Sequence, residues 1–212
     1  MAFRPFAGIL VLGISLVIPE QLQAQYRFFA GGGPGQAILS NDTGISISGS
    51  SGSISTYSQK KGLLLHAFAG WHLFEYFSVQ GAWNWNRNDL TFSGVETSGR
   101  SFEEMRTSSQ QNAGLDAVVY FRKRSSLVRP FLTTGLNVSF LQSDSRVSPR
   151  FTATDRGLRV AAGADFLLPR GWGVRYAFNE ILQGNPLGRR LTPKGTAPLM
   201  NFQHLFGFVK YF

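Results

Sequence analysis

The chain ends in the sequence NFQHLFGFVKYF, from Asn201 to Phe212. The four phenylalanines of this stretch all fall on even positions, and the odd positions carry a mixture of polar, small and apolar residues. Because successive side chains of a β-strand point to opposite faces, this period predicts a strand with one aromatic face and one mixed face. Such an aromatic face is typical of contact with lipid rather than with a protein core.

The same alternation recurs upstream. It is clearest at 77–86, where Trp83 and Trp85 share one face and Asn84 and Asn86 share the other. The segments with this pattern are 26–38, 63–73, 77–86, 112–122, 128–141, 158–168, 172–179 and 200–212. Glycines interrupt the first segment, and we assign it to a strand because closing a barrel requires an even number. The sequence therefore predicts an all-β fold, an eight-stranded antiparallel up-and-down transmembrane β-barrel.

The connections between these segments alternate strictly between short and long. The short ones are Phe74–Tyr76, Lys123–Ser126 and Pro169–Gly171. The long ones are polar and cover about 39–62, 87–110, 142–156 and 180–199. Outer-membrane barrels have short periplasmic turns and long extracellular loops, and a soluble sandwich has no reason to alternate in this way. We expect the first loop, which is rich in Gly and Ser, to be mobile.

Aromatic residues gather near both ends of the predicted strands. Those near the short turns are Phe77, Tyr76, Trp172, Tyr176, Tyr211 and Phe212, and those near the long loops are Trp83, Trp85 and Phe140. Two such girdles are typical of membrane barrels, because aromatic rings favour both membrane–water interfaces.

Residues 1–24 have the anatomy of a cleaved secretory signal. Arg4 supplies a positive charge, residues 6–18 form an apolar run, and a polar segment follows. The apolar run is short for a helix that crosses a membrane. We therefore divide the chain into a signal peptide, 1–24, and a barrel domain, 25–212.

Composition agrees with a large lipid-facing surface. Charged residues make up 16% of the chain, whereas soluble domains have about 25%. No cysteine is present, which excludes a disulfide framework and thiolate chemistry. The formal net charge is +9, but the lysines and arginines are scattered through turns and loops. We therefore expect membrane lipid, and no nucleic acid, as a partner.

The whole mature chain resembles the small eight-stranded outer-membrane β-barrels, the OmpA-like, OmpX-like and OmpW-like family. The strand alternation, the alternating connections and the terminal Phe212 carry the resemblance. It implies a place in the bacterial outer membrane and contact with its lipid and lipopolysaccharide. It also implies assembly by the barrel-assembly machinery, with Phe212 as the signal. Lys210 departs from the family pattern, which usually has a hydrophobic residue there. No segment resembles a periplasmic peptidoglycan-binding domain, and we expect a monomer.

Charged residues also fall on the inward face. If Pro169–Gly171 is a three-residue hairpin turn, Leu168 faces Trp172 and Asp165 faces Arg175. Eight strands enclose a space just wide enough for side chains to fill, so we expect a packed polar network. Its expected members are Asp165, Arg175, Asp116, Arg159, Arg122 and Arg129. A proton or ion path along this network is the alternative.

The sequence offers little for catalysis or metal binding. We expect His66 and His72 to point inward, opposite Asn84 and Ser78, and His204 to face outward near the rim. No histidine forms the His-x-Ser arrangement of lipid-A deacylases. The histidines are also too scattered, and too far from any carboxylate cluster, to predict a metal site. We therefore expect no enzyme, no cofactor and no metal.

Three functions remain open. A filled interior favours a structural or surface-interaction protein that acts through its extracellular loops. The resemblance to OmpW-like barrels implies a narrow channel for small or hydrophobic solutes as an alternative. A lipid-modifying outer-membrane enzyme is the least favoured. The long loops carry no recognisable motif, so the sequence names no ligand.

Overall fold

The computed structural model describes residues 27–39, 44–47, 53–59, 61–95, 99–144, 151–184 and 199–212. The predicted leader, 1–24, lies outside these residues, as do parts of the predicted loops 39–62, 142–156 and 180–199. Among the described residues, no helix is long and apolar enough to cross a membrane.

Ten strands form in the described part of the chain. They are β1 (Phe28–Leu39), β2 (Gly44–Ile47), β3 (Ser53–Gln59), β4 (Gly62–His72), β5 (Phe77–Val95), β6 (Ser101–Tyr120), β7 (Val128–Asp144), β8 (Phe151–Leu167), β9 (Trp172–Gln183) and β10 (Leu199–Tyr211). The strand β1 pairs with both β4 and β10, and the strands from β4 to β10 pair in chain order. This closes an antiparallel barrel of eight strands, and the predicted fold is confirmed.

Side-chain exposure alternates along the barrel strands as the sequence predicts. In β4, Leu63 and Leu65 are exposed, whereas His66 and Phe68 are buried. The outward faces of the other strands present further large apolar side chains, such as Leu136, which is 69% exposed. This arrangement places the apolar surface outside and the polar residues inside, as lipid on the outer face requires.

The hairpin of β5 and β6 is much longer than the sequence predicts. These strands pair without interruption from Phe77 opposite Val119 to Val95 opposite Ser101. The expected loop at 87–110 is therefore mostly paired strand, and its assignment as a loop was wrong. Beyond the membrane both faces of a strand meet water, so the alternation that marks a membrane strand fades.

A second hairpin joins this extension. The strand β3 pairs with the distal part of β5, from Gln59 opposite Leu90 to Ile54 opposite Val95, and β2 pairs with β3. Strands β2 and β3 lie within the first predicted loop, so this loop contains ordered pairing. Residues 40–43, 48–52 and 60 of this loop, to which the expectation of mobility also applied, lie outside the described residues.

The turn between β8 and β9 sets the register that matters most for the interior. The Leu168 N–H donates to the Trp172 carbonyl oxygen at 2.8 Å, and Arg170 and Gly171 have positive φ angles of 62° and 73°. This turn places Asp165 opposite Arg175. The expected strand register is confirmed.

The glycines of β1 serve the packing of the interior. A Cβ atom on Gly31 would lie 2.6 Å from the Cζ atom of the Phe68 ring. A side chain at this position would therefore displace Phe68, which β4 directs into the barrel. Gly31 thus leaves space for a larger side chain from the neighbouring strand, whereas Gly32 and Gly33 lie close to the backbone of the strands beside them.

Candidate functional site

The inward-facing side chains form two clusters along the barrel axis. The arginine cluster occupies the half near the short turns and comprises Gln80, Asp116, Tyr120, Arg129, Arg159, Asp165, Arg175 and Tyr211. The amide cluster occupies the half near the long loops and comprises Asn86, Asn88, Asn112, Asn137, Ser139 and Gln183. Each of these side chains is buried.

Arg175 is the centre of the arginine cluster. Its Nε donates to Asp165 Oδ1 at 2.6 Å, and its Nη2 donates to Asp165 Oδ2 at 2.7 Å. This two-pronged contact matches the planar guanidinium to the planar carboxylate, which makes it a strong charge-assisted pair. The structure thus brings together the two residues that the register calculation selects.

The rest of the Arg175 guanidinium also has partners. Nη1 donates to Gln80 Oε1 at 2.7 Å, and Nη2 donates to the Tyr120 hydroxyl at 2.9 Å. The rings of Phe68 and Phe131 lie 4.3 and 4.8 Å from the Arg175 Cζ atom. Side chains from β4, β5, β6, β7 and β8 therefore converge on this cation of β9 and pack across the barrel interior.

Tyr211 completes the coordination of Asp165. Its hydroxyl donates to Asp165 Oδ2 at 2.5 Å, and its side chain is buried. The expectation that Tyr211 belongs to the outer aromatic girdle was wrong, because its odd position turns it inward. Its neighbour Phe212 is 60% exposed. The assembly role of Phe212 stays a prediction.

Asp116 and Arg159 form the second charged pair. The Arg159 Nη1 atom lies 3.6 Å from Asp116 Oδ2, and Arg159 Nε donates to Asn179 Oδ1 at 3.1 Å. Gln80 Nε2 donates to Asp116 Oδ2 at 3.4 Å, which links this pair to Arg175. The two ion pairs thus belong to one hydrogen-bonded network.

Arg129 lies in the same cluster and forms no ion pair of its own within the described part of the chain. Its backbone pairs with Asp165, but among these residues the Arg129 Nε and Nη2 atoms have no hydrogen-bond partner. Its guanidinium instead lies 3.9 Å from the centre of the Tyr120 ring. The ring face attracts this cation, though it supplies neither a hydrogen bond nor a compensating charge.

Arg122 does not join the network. The strand β6 ends at Tyr120, and Arg122 lies in the connection to β7, where its side chain is exposed. The predicted strand continued to 122, so the alternation placed Arg122 inside. The strand actually ends two residues earlier, which carries Arg122 out to the rim.

The amide cluster is held by uncharged groups. Asn112 Oδ1 accepts from the Ser139 hydroxyl at 2.6 Å, and Asn112 Nδ2 lies 3.5 Å from Asn86 Oδ1. Ser139 also contacts Gln183. Among the described residues, the Asn137 Oδ1 and Gln183 Nε2 atoms have no hydrogen-bond partner. Asp116 Oδ1 in the arginine cluster also lacks one, so it is Arg175 itself that is more completely paired than the amide cluster.

A small cavity lies beside the arginine cluster. It offers about 20 Å³ to the centres of water-sized molecules, which is room for about one water. Arg159, Arg175 and Thr133 are among its lining residues. A space of this size leaves no room for a solute.

The histidines have structural partners. His72 Nδ1 lies 2.5 Å from the Ser78 hydroxyl, and both side chains are buried inside the barrel. His66 Nε2 lies 3.0 Å from the Phe206 carbonyl oxygen. On the outer face, His204 Nδ1 lies 3.0 Å from the Tyr176 hydroxyl. The expected pairings of His66 with Asn84 and of His72 with Ser78 across β4 and β5 are confirmed.

Three members of the arginine cluster were missed by the sequence reasoning. They are Gln80, Tyr120 and Tyr211, and all of them fall on the inward parity of their strands. Parity gives the direction of a side chain, but it does not say which side chains meet across the interior. That information requires the barrel to be closed in three dimensions.

Comparison with known proteins identifies the family to which this fold belongs. A family model described as outer membrane protein beta-barrel domain matches residues 9–194. A comparison with curated proteins found no match.

The solved structures that resemble this barrel include the following three outer-membrane proteins. Neisserial surface protein A has a TM-score of 0.57 and 15% identity, with 87% of this chain and 97% of that chain covered. OprG from Pseudomonas aeruginosa has a TM-score of 0.60 and 12% identity, with 88% and 96% covered. Ail, the attachment invasion locus protein of Yersinia pestis, has a TM-score of 0.53 and 12% identity, with 88% and 99% covered. At such identities the likeness shows the fold alone.

The family match spans most of the chain, and the lipid-facing belt and closed barrel agree with it. The short turns thus face the periplasm and the long connections face the cell exterior. The chain belongs to the outer membrane protein beta-barrel domain family, and its place is the bacterial outer membrane.

Proposed function

We propose that this protein acts at the cell surface, through the sheet that β2, β3 and the distal parts of β5 and β6 form beyond the barrel. We call these strands the surface sheet. The observation that carries the proposal is the continuous pairing of β5 with β6 as far as Val95 opposite Ser101, with β3 added on the other side of β5. From Leu90 to Val95, where β3 has replaced β4 as its partner, this strand extends about 17 Å.

An ordered sheet that projects from the barrel loses less free energy on binding a partner than flexible loops do. A contact surface that is already ordered loses less conformational entropy when it meets a partner. Paired strands also hold their outward side chains in fixed positions. These properties suit a protein whose task is recognition or attachment.

The filled interior supports the same proposal. Arg175 is bound by Asp165, Gln80 and Tyr120 within the barrel. Moving this cation out of the way would break a buried charge pair, which is costly. Transport of solutes is therefore not the function that the geometry favours.

Catalysis forms no part of the proposal. The contact between His72 and Ser78 is buried within the barrel, and His204 on the outer face pairs with Tyr176. Neither arrangement presents an activated nucleophile at an accessible surface.

The solved relatives guide the choice of probe. One of them is named a surface protein, and Ail has also been solved in complex with the heparin analogue sucrose octasulfate. A sulfated polysaccharide is therefore a reasonable first ligand to test.

The test removes the surface sheet and keeps the barrel. Residues 44–59 and 90–106 are each replaced by a short Gly/Ser linker, the second joining the paired residues Asp89 and Thr107, and bacteria displaying either form are measured for adhesion to surfaces coated with heparin. We expect the full chain to adhere and the deletion to fall to the level of cells without the protein. The matched control is Ser139→Ala, which changes the interior alone. Equal adhesion of the full chain and the deletion would refute the proposal.

A narrow channel is the second candidate. One observation favours it: the half of the interior near the long loops is polar and uncharged, with unpaired atoms on Asn137 and Gln183. Polar groups of this kind suit a water-accessible vestibule. Passage would still require the arginine cluster to open, and conductance measurements separate the two functions.

A further inference from the structure

The periplasmic end of the barrel is strongly basic. Among the described residues at this end, the charged side chains are one acid, Glu75, and six bases. The bases, which we call the basic rim, are Arg27, Arg122, Lys123, Arg124, Arg170 and Lys210. All six are exposed or half-buried. The long connections at the other end carry acids and bases together, as at Asp155 and Arg156.

Lys210 and Arg170 form one focus of the basic rim. The Lys210 Nζ atom donates to the Arg170 carbonyl oxygen at 2.6 Å and lies 5.2 Å from the centre of the Trp172 ring. Lys210 shares the outward parity of Phe208, which is 65% exposed to the lipid side. The stem of this lysine therefore follows the lipid-facing surface, and its ammonium reaches the edge of the membrane.

A second focus lies in the connection between β6 and β7. Arg122 and Lys123 are exposed there, next to Arg124, whose Nε atom lies 3.6 Å from Glu75 Oε2. The single acid at this end thus contacts one arginine, and it does not offset the other cations. The neighbouring Phe121 is 59% exposed, so this focus also lies beside lipid-facing aromatic surface.

We propose that the basic rim binds the phosphate groups of anionic phospholipids in the periplasmic leaflet of the outer membrane. The cations lie beside aromatic side chains that mark the level of the head groups. Phosphate is the anion present at that level, and Lys and Arg near a membrane surface attract anionic lipid. An anionic polymer in the periplasm is the alternative partner for these cations. Such a polymer would lie below the barrel, so it would not explain why Lys210 faces the lipid. Lys210 stands where the terminal strand of the family usually has a hydrophobic residue, and the proposal gives this lysine a role in binding lipid phosphate.

Native mass spectrometry of the detergent-solubilised full-length barrel tests this proposal. The protein is incubated with phosphatidylglycerol or with phosphatidylcholine of the same acyl chains, and the retained lipids are counted. We expect a preference for phosphatidylglycerol. The double variant Lys210→Gln/Arg170→Gln should reduce this preference about twenty-five-fold, since each cation contributes roughly five-fold. The variant Lys210→Arg/Arg170→Lys, which retains both charges, should preserve it.

Two further variants complete the design. Arg122→Gln/Lys123→Gln should lower the preference at the second focus, and Arg87→Gln/Arg156→Gln, at the opposite end, should leave it unchanged. Heat-modifiable migration on gels reports whether each variant is folded. Equal retention of both lipids by the wild type would overturn the proposal. So would a loss of preference in the opposite-end control as large as that in the rim variants, or binding of soluble peptidoglycan fragments that depends on the rim while lipid retention does not.

Discussion

The two halves of the barrel interior are both polar, but they are built from different chemistry. In the arginine cluster, the contacts of Arg175 with Asp165 are 2.6 and 2.7 Å long, and the guanidinium has further partners and aromatic neighbours. In the amide cluster, two contacts of Asn112 are 3.5 Å long and a third is 2.6 Å, and polar atoms of Asn137 and Gln183 have no partner among the described residues. Away from Arg175, the arginine cluster also has unpaired atoms, on Asp116 and Arg129.

The difference shows that a buried charge requires closer pairing by its neighbours than a buried neutral amide does. A buried cation without a partner is costly, so the residues around Arg175 must match it closely. A neutral amide that lacks one hydrogen bond costs much less. The close contacts of Arg175 are therefore the rigid closure of the barrel, whereas the amide cluster is a more tolerant filling above it.

The largest expected effect comes from breaking the central ion pair. Asp165→Ala leaves Arg175 without its carboxylate and next to the unpaired Arg129, so we expect a loss of about 3–5 kcal/mol in the free energy of unfolding. Arg175→Met should cost a similar amount, because it leaves Asp165 without its guanidinium. Urea unfolding in detergent micelles measures both.

The double variant Asp165→Ala/Arg175→Met sharpens this test. Removing both charges leaves no unpaired ion, so we expect it to be more stable than either single variant. Losses that simply add would show that the two side chains do not interact, and the account of the arginine cluster would be wrong.

The next effect comes from crowding the arginine cluster. A Cβ atom on Gly135 would lie 2.4 Å from Asp116 Oδ1 and 2.2 Å from the Leu115 carbonyl oxygen. We expect Gly135→Ala to destabilise the barrel by about 1–3 kcal/mol. The matched control is Gly81→Ala on the outer face, where the nearest atom lies 3.9 Å away. Equal unfolding midpoints for the two variants would contradict the close packing around Asp116.

A smaller effect is expected in the amide cluster. Ser139→Ala removes the hydroxyl that donates to Asn112, and we expect a loss of about 1 kcal/mol. Combining it with Asn112→Ala should cost less than the sum of the single losses, because the two side chains share one hydrogen bond. If Ser139→Ala lost as much unfolding free energy as Asp165→Ala, the two clusters would not differ in the way proposed.

The smallest effect is expected at Arg129. Its Nε and Nη2 atoms have no hydrogen-bond partner, so Arg129→Met removes a buried charge that is poorly compensated. We expect the stability to change by less than about 1 kcal/mol, with either no loss or a gain. The control is Arg175→Met, which removes the same charge. A similar loss of unfolding free energy in both variants would contradict the account, because it would show that Arg129 is as strongly paired as Arg175.

Much of the fold follows from the sequence because lipid imposes a simple rule. Inside the membrane, one face of each strand must be apolar, and this produces the alternation that locates all eight barrel strands. Beyond the membrane the rule no longer applies. The segment Ser101–Gln110 reads SFEEMRTSSQ and has no apolar face, yet it pairs with β5 throughout.

The candidate site is only partly accessible to such reasoning. Turn length gives the pairing of Asp165 with Arg175, because these residues face each other on adjacent strands. The contacts of Arg175 with Gln80 and Tyr120 cross the interior between strands that are not neighbours. The period of a strand carries no information about such contacts. The placement of Arg122 inside failed for a different reason, since alternation alone does not show where a strand ends.

Single-channel recording of the wild-type barrel in a planar lipid bilayer tests the central claim most directly. If the arginine cluster closes the interior, the wild type passes no steady ionic current, and Ser139→Ala in the amide cluster is equally silent. The double variant Asp165→Ala/Arg175→Ala, which empties the closure, should conduct. A steady current through the wild type, comparable with that of the double variant, would contradict the account, because it would show that ions pass the arginine cluster while Asp165 and Arg175 are in place.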